Sequence, residues 1–317
     1  MSNSLFAIVS TPRPSVALAI SAAAVKGVAI ASVESKVRVI GHATVSLPSG
    51  AVEPTATTVN IADSAIVASA VRQVIKELPW KGRRVGLVVP DCVGKVSFLK
   101  LDQVPSRTND LRKLIAWQVN KVLPFPIEEA QLEYFPGQQL PDGGREFVVG
   151  IIRRDIVEEY EGVCKTGGVY AGLVDLSVFN VVNVAALKLI DETQDWVLVH
   201  IMNGYSTVVF IRGNSVVLLR TLHTATGDDV AASLHQSAMF YEDRLKGHGV
   251  SRAVLVRGDE ALVDLDLVES RMQTQFNVQV ERLGSRDDFA FEGLDMATVG
   301  AFAGPLGLMV RDEGLSG

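Results

Sequence analysis

Glu128 and Glu129 stand side by side just past a Pro-Phe-Pro corner, in the stretch LRKLIAWQVNKVLPFPIEEAQLEYFP. Neighbouring carboxylates can serve acid–base catalysis, but nothing in the pattern pairs these two for that work, and solvated surface charge accounts for them equally. The two cysteines, Cys92 and Cys164, are too few for a disulfide framework and do not form a CxxC pair, so they read as buried thiols, with a lone catalytic cysteine as the alternative. Five histidines are scattered without an HExxH or Cys/His cluster, so no metal site is expected. The chain has no P-loop, no GxSxG elbow and no GxGxxG after a strand; GGVYAG does not fit, and KGHGV reads as a helix stop and loop.

With little local chemistry to build on, the positioning elements carry more of the information. The 317 residues suffice for about two domains. A composition of 48% hydrophobic, 21% charged and 6% aromatic residues belongs to a compact globular protein. The net charge is -6 and the pI about 5.5, with no basic cluster or tail, which excludes a general nucleic-acid binder. Near the N-terminus, SVALAISAAAVKGVAIASV resembles a signal-peptide core, but Pro12 and Pro14 interrupt its approach, Arg13 is the lone positive charge there, and Lys26 splits the run. No transmembrane helix is expected, and the chain is expected in the cytoplasm.

The alternation in residues 16–30 predicts two strands around an SAAA turn, followed by a third strand over 36–45. Asp63 or Ser64 caps a helix that turns Ile66, Val67, Val71, Ile75 and Leu78 inward, and RRVGLVVPD is a buried strand. A separate unit follows: a strand at 96–101, a helix with Leu111, Leu114, Ile115, Val119 and Val122 on its inner face, the proline corner, a strand at 132–135, the loop PGQQLPDGG, the strand REFVVGIIR and the helix RDIVEEYEGVCKTGG. AGLVDLS resumes a buried strand before a helix at 178–190. A second cycle then begins with WVLVHIM, STVVFIR and SVVLLRTL, a helix over 228–246, the strand RAVLVRG, a helix, the strand NVQVERL and a small-residue helix around Pro305.

Both halves therefore open with three strands joined by tight turns and continue with helix and strand, the outline of an actin-like α/β fold built from a duplicated βββαβα unit related to ribonuclease H. LPFPIEE after its helix, RDIVEEY after VVGIIR, and the closing AGPLGLMVR resemble the PilM family, the actin-like components of type IV pilus assembly, related to FtsA. The order of elements is similar over essentially the whole chain, and residues 124–129 are its most specific piece. The GspL proteins of type II secretion, also related, continue into a membrane span that this sequence lacks.

The resemblance implies three units: residues 1–89 with 170–195 and 297–317, an inserted FtsA-like α+β subdomain at 90–169, and residues 196–296. It implies a scaffold at the inner face of the inner membrane that binds the cytoplasmic tail of a PilN-like protein, alongside other platform proteins and with a homo-oligomer as a further option. A nucleotide-regulated actin-like ATPase is the alternative. Aligned on Lys26, the phosphate-loop positions have decayed: Ala19 stands at the acidic position and Ser21 at the glycine, while His200, Ile201 and Met202 replace the second Asp-x-Gly. Asn203 and Gly204 keep a turn, and Gly227 and Gly258 survive from glycine pairs. No cofactor is expected, with ATP as the doubtful candidate. Two prolines also fix Phe125 at low entropic cost, so the corner, through Phe125 and Leu123, is expected to wall a groove for an extended partner peptide.

Overall fold

The computed structural model describes residues 14–33, 36–187, 194–258, 263–284, 291 and 293–310. The end of the helix expected to reach residue 190, and residues 311–317, lie outside them. Strands β1 (Val16–Ile20), β2 (Ala24–Val33) and β3 (Lys36–Ser46) form an antiparallel meander, in which the signal-like segment is an apolar hairpin with most of its residues buried. Helix α1 (Ser64–Glu77) starts where the Asp63 carboxylate accepts the Ile66 amide at 3.0 Å. It buries Val67, Val71 and Val74; Ile66, expected inward, is 40% exposed because it sits beside the cap on the outer side of the first turn. Strand β4 (Arg84–Val89) then runs parallel to β1 and ends in a 3-10 turn at Asp91–Val93.

The next block is a small unit with its own core. β5 (Gly94–Leu101), α2 (Thr108–Asn120), β6 (Ala130–Gln139), β7 (Arg145–Arg153) and α3 (Arg154–Thr166) follow in order, and the strands pair antiparallel as β5-β7-β6. Residues alternate across a pleat, so the register separates two faces. On one, Leu132, Phe147, Val149 and Ile151 pack with Ile115 and Val119 of α2. The other pairs Gln131 with Ile152, Glu133 with Gly150 and Phe135 with Val148.

Two expectations need correction here. Val122 is 54% exposed, since α2 ends at Asn120 and residue 122 lies beyond its amphipathic face. The strand expected to stop near Phe135 continues through Pro136 to Gln139. Because β6 is the edge of its sheet, a residue without an N–H is tolerated there.

β8 (Tyr170–Leu176) returns to the first sheet parallel to β4, and α4 (Ser177–Ala186) follows. The second half comprises β9 (Trp196–Met202), β10 (Tyr205–Arg212), β11 (Ser215–His223), α5 (Gly227–Leu245), β12 (Arg252–Arg257), α6 (Leu265–Phe276) and β13 (Val280–Arg282), after which α7 (Met296–Ala301) leads into α8 (Ala303–Val310), which packs on β1, β2 and β4 of the first sheet. The large sheets have matching orders, β3-β2-β1-β4-β8 and β11-β10-β9-β12-β13. The sequence duplication is thus a structural one.

Between the halves, α8 lies against α4, and the small residues of AGPLGLMV permit their close approach. A Cβ added at Gly307 would stand 1.8 Å from the Asn180 carbonyl oxygen, so only glycine fits there. Pro305 falls in the first turn of α8, where no intrahelical donor is lost. Among the described residues no helix is long and apolar enough to cross a membrane.

Candidate functional site

Two concavities sit where the sheets meet. The first, a cavity of about 630 Å³ between the halves, is lined by Lys26 and Gly258 together with Ala23, Ala24, Arg257 and Phe302. Of the residues expected at a nucleotide site, Lys26 and Gly258 line this cavity, whereas Ser21, Asn203, Gly204 and Gly227 do not.

The groups around it are already engaged. The Ser21 hydroxyl accepts the amides of Ala23 at 3.3 Å and Ala24 at 3.2 Å, which closes the first hairpin turn on itself. Lys26 Nζ donates across the cleft to the carbonyls of Gly258 at 2.5 Å and Ala301 at 3.1 Å. A Cβ on Gly258 would lie 2.3 Å from Met202 Sδ and 2.6 Å from His200 Nε2, so these two side chains occupy the space beside the glycine. Gly204 turns the second hairpin with φ of +84°. Gly227 opens α5 behind a capping box in which Thr226 accepts the Asp229 amide at 3.2 Å while Asp229 accepts that of Thr226 at 2.9 Å.

His200, which the sequence showed only as a replacement for an acid, belongs to a buried polar network centred on Asp91. Its Nδ1 lies 3.2 Å from Oδ2 of Asp91, and both residues are almost fully buried. Asp91 Oδ2 also accepts from the Thr207 hydroxyl at 3.0 Å, and Oδ1 accepts the Val178 amide in the first turn of α4 at 2.6 Å. The Asp91 amide in turn donates to the Tyr205 hydroxyl at 3.1 Å. One carboxylate thereby ties β4 and α4 of the first half to β9 and β10 of the second. A signal was present: a histidine inside the apolar run WVLVHIM must find a partner, and an aspartate directly after a buried strand can supply one.

Neither cysteine is poised for nucleophilic work. Burial, then the neighbouring Asp91 charge, pushes the Cys92 thiol up to about 12, and burial, then Glu161, does the same for Cys164. Both remain protonated near neutrality.

The second concavity, of about 470 Å³, lies between the small sheet and the edge of the first large sheet. Gln131, Glu133, Gly150 and Ile152 supply one wall, the pleat face turned away from α2. A second wall is α3, through Arg154, Val157, Glu158 and Glu161. Residues 171–176 of β8 form the third, with Phe179 beneath. The two sheet edges differ in availability: on β6, Arg112 caps the Leu132 carbonyl at 2.7 Å and Arg154 reaches the Ala130 carbonyl at 3.4 Å. β8 is the edge facing the groove, and of its carbonyls that of Gly172 takes a bond from Arg84 at 3.3 Å.

Leu123 and Phe125, expected to wall such a groove, are absent from its lining and pack instead against the small unit's core. The corner stops α2 and starts β6, and Phe125 seals their junction. Phe125→Ala is therefore expected to cost about 2 kcal/mol in urea denaturation, less than a fully buried Phe→Ala, while the folded variant keeps the groove intact.

Doubled five-stranded sheets of matching order around a cleft, with a small α+β unit inserted in the first half, define an actin-like protein. A protein with an actin-like ATPase fold and unknown function from Bacteroides thetaiotaomicron superposes with a TM-score of 0.51 at 8% identity, covering 87% of this chain and 93% of that one. The family described as type IV pilus assembly protein PilM matches residues 17–237, and the chain belongs to that family. A solved PilM-PilN type IV pilus biogenesis complex contains a chain that superposes with a TM-score of 0.79 at 18% identity, over 95% of this chain and 99% of that one. No curated protein matches the sequence.

Proposed function

We propose that this chain is a non-catalytic scaffold of the type IV pilus assembly platform, held at the inner face of the inner membrane by binding the cytoplasmic tail of a PilN-like protein. The groove carries the reading: an open strand edge, β8, flanks an apolar floor and a helix wall. An extended tail can there gain main-chain hydrogen bonds while its side chains fill pockets, with β8 as the template for an added strand. The similarity to a chain from a PilM-PilN complex supports a partner of this kind. Titration of a labelled PilN-like tail peptide tests it; saturable binding that a soluble excess of unlabelled tail displaces is the expected result, and no binding rejects it.

The engaged cleft supports the non-catalytic part. Phosphate transfer needs free backbone donors and a carboxylate to organise magnesium. Here Ser21 takes the hairpin amides, Ala19 replaces the acid, and Lys26 is spent on two carbonyls. The cavity beside Lys26 is the one observation favouring a nucleotide. A ligand at 100 times its dissociation constant would add about 2.7 kcal/mol to stability. The expectation is no magnesium-dependent ATPase activity and no such stabilisation by Mg-ATP; a shift in melting temperature that Lys26→Ala removes would favour the ATPase.

A further inference from the structure

We propose that the groove selects its tail by charge, taking an extended segment whose Lys or Arg side chain seats between Glu158 and Glu161 while apolar neighbours cover Ile152 and Leu173. The inference rests on the groove being the tail site, and adds what kind of tail it accepts.

Arg154, Val157, Glu158 and Glu161 recur at i, i+3, i+4 and i+7, so one face of α3 looks into the groove. The other charges on these walls have partners. Glu133 pairs with Arg112 at 3.2 Å, Arg154 donates to the carbonyls of Glu128 and Ala130, and Asp175 accepts the Leu176 amide at 2.9 Å. Glu158 and Glu161 make no ion pair or hydrogen bond among the described residues.

Like charges about one helical turn apart repel. Partial burial against the groove, then Glu158, raises the Glu161 carboxyl above the usual range. A cation set between them removes the repulsion and replaces lost hydration. The opposite choice is costly: an acidic residue there would place a third negative charge in a partly enclosed space.

The occupant's side of the match follows from membrane topology. Segments flanking a membrane span on its cytoplasmic side carry an excess of Lys and Arg. A tail emerging from the inner leaflet thus brings the charge that these carboxylates lack, and the surrounding apolar surface of Ile152, Leu173 and Leu176 receives the residues between. Because both glutamates are exposed on a helix, neutral replacements are expected to leave folding unchanged.

The probe is a fluorescein-labelled PilN-like tail peptide, beside a version with its Lys and Arg changed to Gln. Each is titrated into wild type, Glu158→Gln/Glu161→Gln and Glu158→Lys/Glu161→Lys at two salt concentrations, with melting temperatures recorded. The Gln pair is expected to weaken binding of the native tail about tenfold and to flatten its salt dependence. The Lys pair is expected to lose the native tail and to regain affinity for a tail carrying Glu at those positions. Wild-type binding with unchanged affinity and salt dependence in the Gln pair overturns the charge selection alone. Absence of wild-type binding removes the tail site itself, and this inference with it.

Discussion

Gly150→Trp is expected to abolish tail binding, with a loss of about a hundredfold or more, and to leave the protein folded. Gly150 lies in the central strand of the small sheet, opposite Glu133, on the face that lines the groove. A Cβ built there meets no atom within 4 Å, so a large side chain enters open space and does not collide with the core. Its backbone is not among the positive-φ glycines, so the substitution brings no strain of that kind. An aromatic residue also suits a strand better than glycine does, which offsets the exposed apolar surface it adds. The measurement is peptide titration with a melting curve on the same preparation. A folded variant that binds the tail as tightly as wild type would move the tail site away from this groove.

The second large effect is on stability. Asp91→Ala is expected to cost about 3–5 kcal/mol, because several buried groups lose one shared acceptor and each unsatisfied group costs roughly 1–3 kcal/mol. The loss leaves the Val178 amide, the Thr207 hydroxyl and His200 without their acceptor in a site closed to water. Urea denaturation of Asp91→Ala, His200→Ala and the double variant reports the coupling, which is expected to make the double less damaging than the sum of the singles. A single-variant cost below about 1 kcal/mol would mean that these groups are solvated and the halves are not tied through them.

The sequence disclosed the duplication because it is written in local terms: period-two strands, tight turns with glycine, and capped helices recur in the same order in both halves. The α1 start was legible at Asp63 for the same reason. What escaped was governed by distant partners. His200 and Asp91 are 109 positions apart, and only the fold sets them 3.2 Å from each other. Periodicity gave the small unit its core through Ile115 and Val119, but it could not distinguish a proline corner that walls a groove from one that seals a junction. Glu158 and Glu161 look like any solvated helix face until β8 is placed opposite. The role of Pro136 was misjudged because an edge strand tolerates it and a central strand does not, and edge status is a property of the sheet.

An open strand edge is also a hazard. The main-chain groups of β8 facing the groove offer a template to any extended chain, including another copy of this protein while it is still folding. The neighbouring edge of β6 is blunted by a proline and two arginines, whereas on β8 Arg84 engages the Gly172 carbonyl alone and no proline interrupts the strand. The cell's safeguard would then be stoichiometry. Made in excess of its tail-bearing partner, the protein would be prone to aggregate, and co-production with that partner would raise its soluble yield without any change in its sequence.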